Sequence, residues 1–127
     1  MPESIVETYG RPFRFQGKEA IRTKDLEAIK AAAQGTLCHI TTDEFVSVCP
    51  YSGLPDFATL AISYRPNKTV VELKSLKIYL TSFKDVGILQ EEVAARIQRD
   101  LSRLLGVAAT VRMAFRERGG IRQEVER

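Results

Sequence analysis

The stretch VCPYSGLPDF (residues 48–57) joins two predicted β-strands and holds a thiol and a carboxylate seven positions apart. Its two prolines fix their own φ angles and bias the preceding residues toward extended geometry, whereas Gly53 can adopt a left-handed turn conformation at little cost. A loop restrained in this way limits the positions open to Cys49 and Asp56. We therefore predict that Cys49 is a nucleophile and that Asp56 is its proton partner.

Apolar residues recur with strand or helix periodicity through most of the chain on either side of this loop. A period of two with β-branched and aromatic side chains predicts strands, and apolar residues three or four apart predict helices. In chain order we predict strands over 36–48 and 57–64, a short extended segment over 69–72, helices over 73–84 and 88–105, and strands over 107–116 and 121–125. Asp43-Glu44 predicts a bulge or a bend in the first strand, and Gly106 predicts the end of the second helix.

The N-terminal part of the chain is predicted to be an arm over 1–35, followed by a core over 36–127, within a single domain. Residues 1–22 show no sustained period and are expected to be irregular. From Thr23, a capping side chain, acidic residues in the first turn and a run of alanines favour a helix that ends at Gly35.

The order strand, strand, helix, helix, strand, strand predicts an α+β domain, in which an antiparallel four-stranded sheet carries two helices on one face. At 127 residues the chain is large enough for one hydrophobic core. Such a sheet has two open edges, and open edges pair readily with other chains. Self-association is therefore expected from the fold alone.

Composition excludes several classes of protein. Two cysteines, Cys38 and Cys49, make no disulfide framework, and the single histidine, His39, excludes a His-rich metal site within one chain. No apolar stretch approaches the roughly 20 residues that span a bilayer, and the first residues lack the features of a signal peptide, so we expect a cytoplasmic protein. The net charge of +3 suits a small anion as readily as nucleic acid.

Cys49 has a structural interpretation as well as a chemical one, because most lone cysteines are small buried hydrophobic residues. Cys38 has strand neighbours on both sides and fits that description, and His39 beside it fits a structural role. Cys49 instead begins a proline-containing loop, and loops on rigid scaffolds carry functional sites. A reactive thiolate needs a nearby cation or helix N-terminus, for which Lys74 and Lys77 are candidates.

The charged residues of the predicted helices also have two interpretations. Lys74, Lys77 and Lys84 form either a solvated helix face or a phosphate-binding face. Glu91 and Glu92 at the start of the second helix interact favourably with its dipole. A buried Glu91 would instead accept N–H bonds from a heterocycle. From these residues alone the chain is either a thiol enzyme or an anion-binding module.

Three motifs in a fixed order together resemble one known family. They are the loop Cys49-Pro50-x-Ser52-Gly53-x-Pro55-Asp56-Phe57, the segment Glu72-Leu73-Lys74-Ser75-Leu76-Lys77-Ile78-Tyr79 with Ser82-Phe83 and Glu91 after it, and Phe115 with Arg118-Gly119-Gly120-Ile121. They are similar to motifs of the nitrile reductases of queuosine biosynthesis, the QueF family, over about residues 36–121. That family resembles the pterin enzymes of the tunnelling fold, in which subunits join their sheets into a barrel.

The resemblance implies an NADPH-dependent reduction of 7-cyano-7-deazaguanine to its aminomethyl form, a change that uses two molecules of NADPH. Cys49 would attack the nitrile carbon and form a covalent thioimide, and Asp56 would shuttle protons to the nitrogen. The residues implied near the substrate are Glu91, which would hold the N–H edge of the ring, and Glu72, Leu73 and Gln90. The residues implied for the phosphates of NADPH are Lys74, Ser75 and Lys77, with help from Arg118 and Gly119.

The resemblance further implies a homo-oligomer, commonly two stacked pentamers in this family, with active sites between subunits and no direct contact with nucleic acid or membrane. The chain departs from the family pattern at two places. Lys84-Asp85 stands where the family usually has Arg-Asn, and Gln90 stands where it usually has His. A glutamine can hydrogen-bond a substrate but cannot carry a proton near pH 7.

Three other functions are compatible with part of the pattern. An archaeosine-synthase-like amidinotransferase acts on the same nitrile in tRNA and keeps the cysteine, but it needs no cofactor, so the Lys74–Lys77 segment disfavours it. A GTP-cyclohydrolase-like zinc enzyme is disfavoured by the solitary His39. A non-catalytic deazapurine-binding member of the fold would accommodate Gln90 but leaves the Cys49–Asp56 loop without a purpose.

Overall fold

An antiparallel four-stranded sheet lies at the centre of the computed structural model, which describes residues 3–127. The elements in chain order are β1 (Glu3–Thr8), β2 (Arg11–Gln16), β3 (Ala28–Lys30), β4 (Cys38–Val48), β5 (Pro55–Tyr64), β6 (Thr69–Val71), α1 (Leu73–Thr81), α2 (Gln90–Leu105), β7 (Thr110–Phe115) and β8 (Glu124–Glu126). The central sheet has the order β4-β5-β7-β8, while β1 pairs with β2 and β3 pairs with β6. The predicted α+β class, with antiparallel sheets and few helices, is confirmed.

One face of the central sheet packs against both helices and forms the hydrophobic core. In β5, exposed and buried side chains alternate, because successive side chains of a strand point to opposite faces. The largest buried side chains come from the sheet, the helices and the turn after α1. They include Leu60, Ile62, Met113 and Phe115 of the sheet, Tyr79, Ile97 and Leu101 of the helices, and Phe83 of the turn. Among the described residues no helix has both the length and the apolar character needed to cross a membrane.

Several sequence-based predictions about element ends are confirmed. The register between β4 and β5 shifts between Thr42 and Phe45, which is the bulge predicted at Asp43-Glu44. Gly106 ends α2 in the left-handed conformation with φ of 68°, where a residue without Cβ is favoured. Helix α1 is shorter than the helix predicted over 73–84, because it ends at Thr81.

The helix predicted from Thr23 to Gly35 is wrong. Only one turn of 3-10 helix forms, at Thr23–Asp25, and β3 then pairs with β6. The Thr23 hydroxyl donates to Asp100 at 2.9 Å rather than capping a helix. Backbone groups of Glu27 are also taken by tertiary partners, since its N–H donates to the Ser75 hydroxyl at 2.9 Å. Strand pairing and side-chain contacts across the fold outweigh a weak local helix propensity.

The expectation of an irregular segment over 1–22 is also wrong, although residues 1 and 2 of that segment lie outside the described residues. Strands β1 and β2 form a hairpin with six residue pairs. Tyr9 and Gly10 form its turn with φ of 53° and 73°, as two-residue turns of type I′ require. Phe15 is buried, so the hairpin is packed against the domain rather than free of it.

Candidate functional site

The loop between β4 and β5 presents Cys49 at its first position. The Cys49 N–H donates to the Leu54 carbonyl at 2.9 Å, and the Gly53 N–H donates to the Cys49 carbonyl at 2.8 Å. Gly53 has φ of 74°, so the left-handed turn predicted there is confirmed. These two bonds close the loop into a compact turn.

The thiol of Cys49 lies among hydrogen-bond donors. Burial raises its pKa, but the Ser52 hydroxyl, the backbone N–H groups of Ser52 and Tyr51, and the Arg118 guanidinium all donate to the sulfur and together lower the pKa below its ordinary value. Hydrogen bonds and positive charge favour the thiolate over the thiol. The arrangement is suited to a nucleophile at neutral pH. The cation beside it is Arg118 rather than the predicted Lys74 or Lys77.

Asp56 is the buried carboxylate of the site, with 8% of its surface exposed. It lies in β5 directly opposite Ser47 of β4. Burial raises the pKa of Asp56, while the positive charge of Arg118 and a hydrogen bond from Gln90 oppose that rise without cancelling it. A carboxyl group whose pKa is raised toward neutrality can both accept and release a proton during a reaction.

Arg118 links the thiol and the carboxylate. Its Nη2 atom lies 3.3 Å from Oδ1 of Asp56, and its guanidinium also donates to Cys49. The side chain projects from a turn in which the Arg118 N–H donates to the Ile121 carbonyl at 3.0 Å. Gly119, predicted to help bind the cofactor, has φ of 63° in that turn. The structure therefore gives Arg118 a contact with Asp56 and Cys49 that the sequence did not predict.

Gln90 opens α2, and hydrogen bonding from its side chain slightly opposes the rise in the pKa of Asp56. Its Oε1 atom is buried without a hydrogen-bond partner among the described residues, and the same holds for Oγ of Ser47. Both atoms belong to side chains placed next to Asp56, by contact or by strand register. Buried polar atoms are rarely left unpaired in folded proteins, so both atoms have acceptor capacity for a group that is not part of the chain. Ser47 was not among the site residues predicted from the sequence. The only indication in the sequence is that a serine stands among apolar residues near the end of a predicted strand.

The Glu72–Lys77 segment begins α1 and lies apart from these groups. The Glu72 carboxylate caps the helix by accepting the N–H groups of Lys74 at 2.7 Å and Ser75 at 2.9 Å. The Ser75 side chain is buried, and its hydroxyl donates to the Glu72 carbonyl at 2.7 Å. Lys77 pairs with Glu44 at 2.6 Å.

The structure thus divides the predicted site residues into two groups. Cys49, Asp56, Gln90 and Arg118 are joined by contacts, whereas no hydrogen bond or ion pair among the described residues connects them with the Glu72–Lys77 segment. Leu73 and Lys74 are exposed, and Glu91 is exposed beside Gln90 in the first turn of α2. The roles predicted for these residues in binding substrate and cofactor stay predictions.

A groove of about 480 Å³ lies between β4 and α1. Its walls are mainly apolar, and its lining includes Leu73, Leu76 and Lys77 of the Glu72–Lys77 segment, with Lys84 further along the chain. Strand β4 is an outer strand of the central sheet. The groove therefore lies at an open edge of the sheet.

Replacing Arg118 with glutamine is expected to raise the pKa of Cys49, because the thiolate loses a positive neighbour. Arg118 is half exposed, so we expect alkylation of Cys49 by iodoacetamide at pH 7 to slow by roughly twofold to fivefold. The pH dependence of alkylation measures the effect. Arg116→Gln is the matched control, since that guanidinium lies 5.0 Å from the centre of the Phe57 ring instead. Equal rates for the wild type and the Arg118 variant would contradict the assignment.

Comparison with known proteins gives matches over most of the chain. The model of a family described as QueF-like protein matches residues 55–127. The NADPH-dependent 7-cyano-7-deazaguanine reductase of Thermotoga petrophila is 49% identical over 89% of this chain and 84% of its own length. The protein of the same name from Caldicellulosiruptor bescii is 49% identical over 91% of this chain and 90% of its own.

A solved structure resembles the fold described above. The archaeosine synthase QueF-Like in its apo form has a TM-score of 0.64 and covers 75% of this chain and 94% of its own. Its sequence identity to this chain is 24%. At that identity the likeness extends to the arrangement of helices and strands and carries no conclusion about activity.

Proposed function

The chain belongs to the family of QueF-like proteins, and from that membership we propose that it is an NADPH-dependent 7-cyano-7-deazaguanine reductase that makes the aminomethyl product. The observation that carries the proposal is the pairing of Cys49 with Asp56. Hydrogen-bond donors lower the pKa of Cys49, and burial raises the pKa of Asp56. These are the opposite shifts that a nucleophile and a proton carrier need near neutral pH.

The first chemical step is addition of the Cys49 thiolate to the nitrile carbon. The C–S bond forms, one π bond of the nitrile breaks, and its electron pair takes a proton at nitrogen to give a thioimide. Asp56 supplies that proton. Arg118 contacts both side chains. Its positive charge would stabilise the Cys49 thiolate before the attack and the Asp56 carboxylate after the proton has been transferred.

The reduction needs two hydrides, which NADPH supplies when bound. Between the two reductions the nitrogen lone pair forms a C=N bond as the C–S bond breaks, and Cys49 leaves as a thiolate. Asp56 would deliver the protons that nitrogen gains, and water would return a proton to Asp56 after each transfer. The donors around the sulfur serve departure as well as attack, since they stabilise the leaving thiolate.

Some residues of α1 are suited to bind the phosphate groups of NADPH. Lys74 and Lys77 are exposed and would give cationic contacts to phosphate, with Lys77 exchanging its ion pair with Glu44 for that contact. Ser75 fits less well as a direct ligand, because its buried hydroxyl already accepts the Glu27 N–H and donates to the Glu72 carbonyl. We assign it the role of fixing the start of α1, from which the lysines project.

The start of α2 is the proposed contact with the deazaguanine ring. Glu91 is exposed and its carboxylate has two oxygens for ring N–H groups. Gln90 holds Asp56 through its amide, and its buried Oε1 has acceptor capacity left for the substrate or the thioimide N–H. Gln90 thus positions the proton carrier without carrying a proton itself.

We further propose that the site is completed between copies of the chain in a homo-oligomer, as two stacked pentamers with the sheets joined into a barrel. Two features support this. The segment Glu72–Lys77, which holds the predicted cofactor lysines, shares no hydrogen bond or ion pair with the Cys49 group among the described residues. The groove beside this segment lies at the open edge formed by β4. Pairing of edge strands would bring one copy's lysines toward another copy's thiol.

The test is incubation of the protein with 7-cyano-7-deazaguanine, followed by mass spectrometry of the Cys49 peptide and then by addition of NADPH. We expect a covalent adduct on Cys49 that disappears as NADPH is oxidised. Absence of an adduct would contradict nitrile chemistry altogether. An adduct that NADPH does not turn over would contradict the reductase. Cys38→Ala is the matched control, since it removes the other cysteine and should leave the adduct intact.

A further inference from the structure

The N-terminal hairpin touches the loop that carries Cys49. The Thr8 hydroxyl, at the end of β1, donates to the Ser52 carbonyl across 44 positions of sequence. Ser52 also supplies two of the donors to the Cys49 sulfur, its hydroxyl and its backbone N–H. The Ser52 hydroxyl also accepts the Leu54 N–H at 3.2 Å. With its carbonyl held by Thr8 and its hydroxyl held by Leu54, Ser52 has little freedom to turn its donors away from the sulfur.

Gly53, the next residue of the loop, lies directly against the same hairpin. A Cβ atom added there would lie 2.4 Å from Cβ of Phe13 and 2.9 Å from Cγ2 of Val6. Distances this short leave no room for a side chain, so the backbone of the loop and the side chains of both hairpin strands are in close contact. The hairpin therefore packs directly against the loop that carries Cys49.

The other end of the hairpin is bound to the body of the domain. Gln16 exchanges backbone hydrogen bonds with the segment 85–88 at 2.7 and 2.9 Å. Val48, the residue before Cys49, exchanges two bonds with that same segment at 3.0 Å each. The Phe15 ring fills the space beside Gly87, where a Cβ would lie 2.2 Å from a ring atom. One segment thus anchors the hairpin and the strand that ends at the nucleophile.

We infer that the β1–β2 hairpin is a positioning element for the nucleophile, and that Thr8 holds Ser52 in the orientation in which it donates to Cys49. The hairpin has a fixed base at the segment 85–88 and reaches over the loop to its far side at Ser52 and Gly53. A loop held at both ends in this way keeps its donors aimed at the sulfur before substrate arrives. Thr8 acts through Ser52 and touches no reacting atom.

The test is the variant Thr8→Val, which keeps the shape of the side chain and removes its donor. We expect the alkylation rate of Cys49 by iodoacetamide at pH 7 to fall by about twofold to tenfold, the usual effect of one hydrogen bond. The pH profile of the reaction should move to higher pH. Thr8→Ser keeps the hydroxyl and should restore the wild-type profile. Peptide mass spectrometry follows Cys49 and Cys38 in the same sample, so Cys38 serves as an internal control.

An unchanged Cys49 profile in Thr8→Val would overturn the inference. So would failure of Thr8→Ser to restore the rate, which would assign the effect to packing of the methyl group. An equal change at Cys38 would also overturn it by reporting general loosening. The inference rests on the proposed function only in taking Cys49 as the nucleophile. Since alkylation uses no nitrile and no NADPH, failure of the nitrile adduct would refute the function and leave this result separate.

Discussion

Cys49→Ala is expected to abolish the covalent adduct with 7-cyano-7-deazaguanine and to lower the rate of NADPH oxidation by roughly 10⁴-fold or more. The sulfur is the only atom in the site that forms a bond to the nitrile carbon in the proposed reaction, so no other side chain of the group can replace it. Intact-mass measurement and the absorbance of NADPH give the two readouts.

The loss must come from chemistry rather than from folding. Cys49 is half-buried at the start of a loop, and alanine keeps the backbone bonds to Leu54 and Gly53, so the thermal unfolding midpoint should stay close to that of the wild type. Cys38→Ala, which changes a cysteine at the other end of β4, should retain both adduct and turnover. An adduct that persists in Cys49→Ala would show that the nucleophile is elsewhere.

Asp56→Asn is expected to lower the rate of nitrile reduction by about 10²-fold to 10⁴-fold, the usual contribution of a general acid or base. The amide has nearly the shape of the carboxyl and removes only the ability to exchange a proton. Steady-state rates with saturating NADPH measure the loss. Asp43→Asn, an exposed carboxylate at the bulge of β4, is the matched control and should behave as the wild type.

The pH profile separates a proton carrier from a merely structural carboxylate. The active form of the pair holds one proton shared between Cys49 and Asp56, so activity falls at low pH, where both are protonated, and at high pH, where neither is. Burial raises the pKa of Asp56 and moves the acidic limb upward, and the donors around Cys49 move the alkaline limb downward. In Asp56→Asn only Cys49 of the pair titrates, so the residual rate should rise with pH as the thiolate forms and the alkaline fall should disappear. A profile of unchanged shape would contradict the role of Asp56.

The central elements could be predicted from the sequence because their periodicity is long and regular. The alternation in β5 and the apolar stripe of α2 each extend over several turns or residue pairs, so burial on one face follows from geometry alone. Gly53 and Gly106 were placed correctly for a local reason, since both occupy left-handed positions that favour residues without Cβ. The loop between β4 and β5 could likewise be identified as restrained.

The N-terminal third could not be predicted in the same way, because its structure depends on partners far along the chain. The run of alanines after Leu26 favours a helix locally, yet β3 pairs with β6 and Thr23 binds Asp100. Most of the stabilisation of a short strand comes from its neighbour, which no window of sequence contains. The same holds for the hairpin that packs on Gly53.

The sequence by itself determined the class of fold, the family and the identity of Cys49 and Asp56 as the pair of interest, since motif residues and their spacing are local properties. Only the tertiary structure decided that Arg118 is the cation beside them, that Gln90 contacts Asp56, and that Thr8 holds the loop. Hydrogen bonds and charges act over a few ångströms, and which side chains come that close is settled by how distant segments of the chain pack.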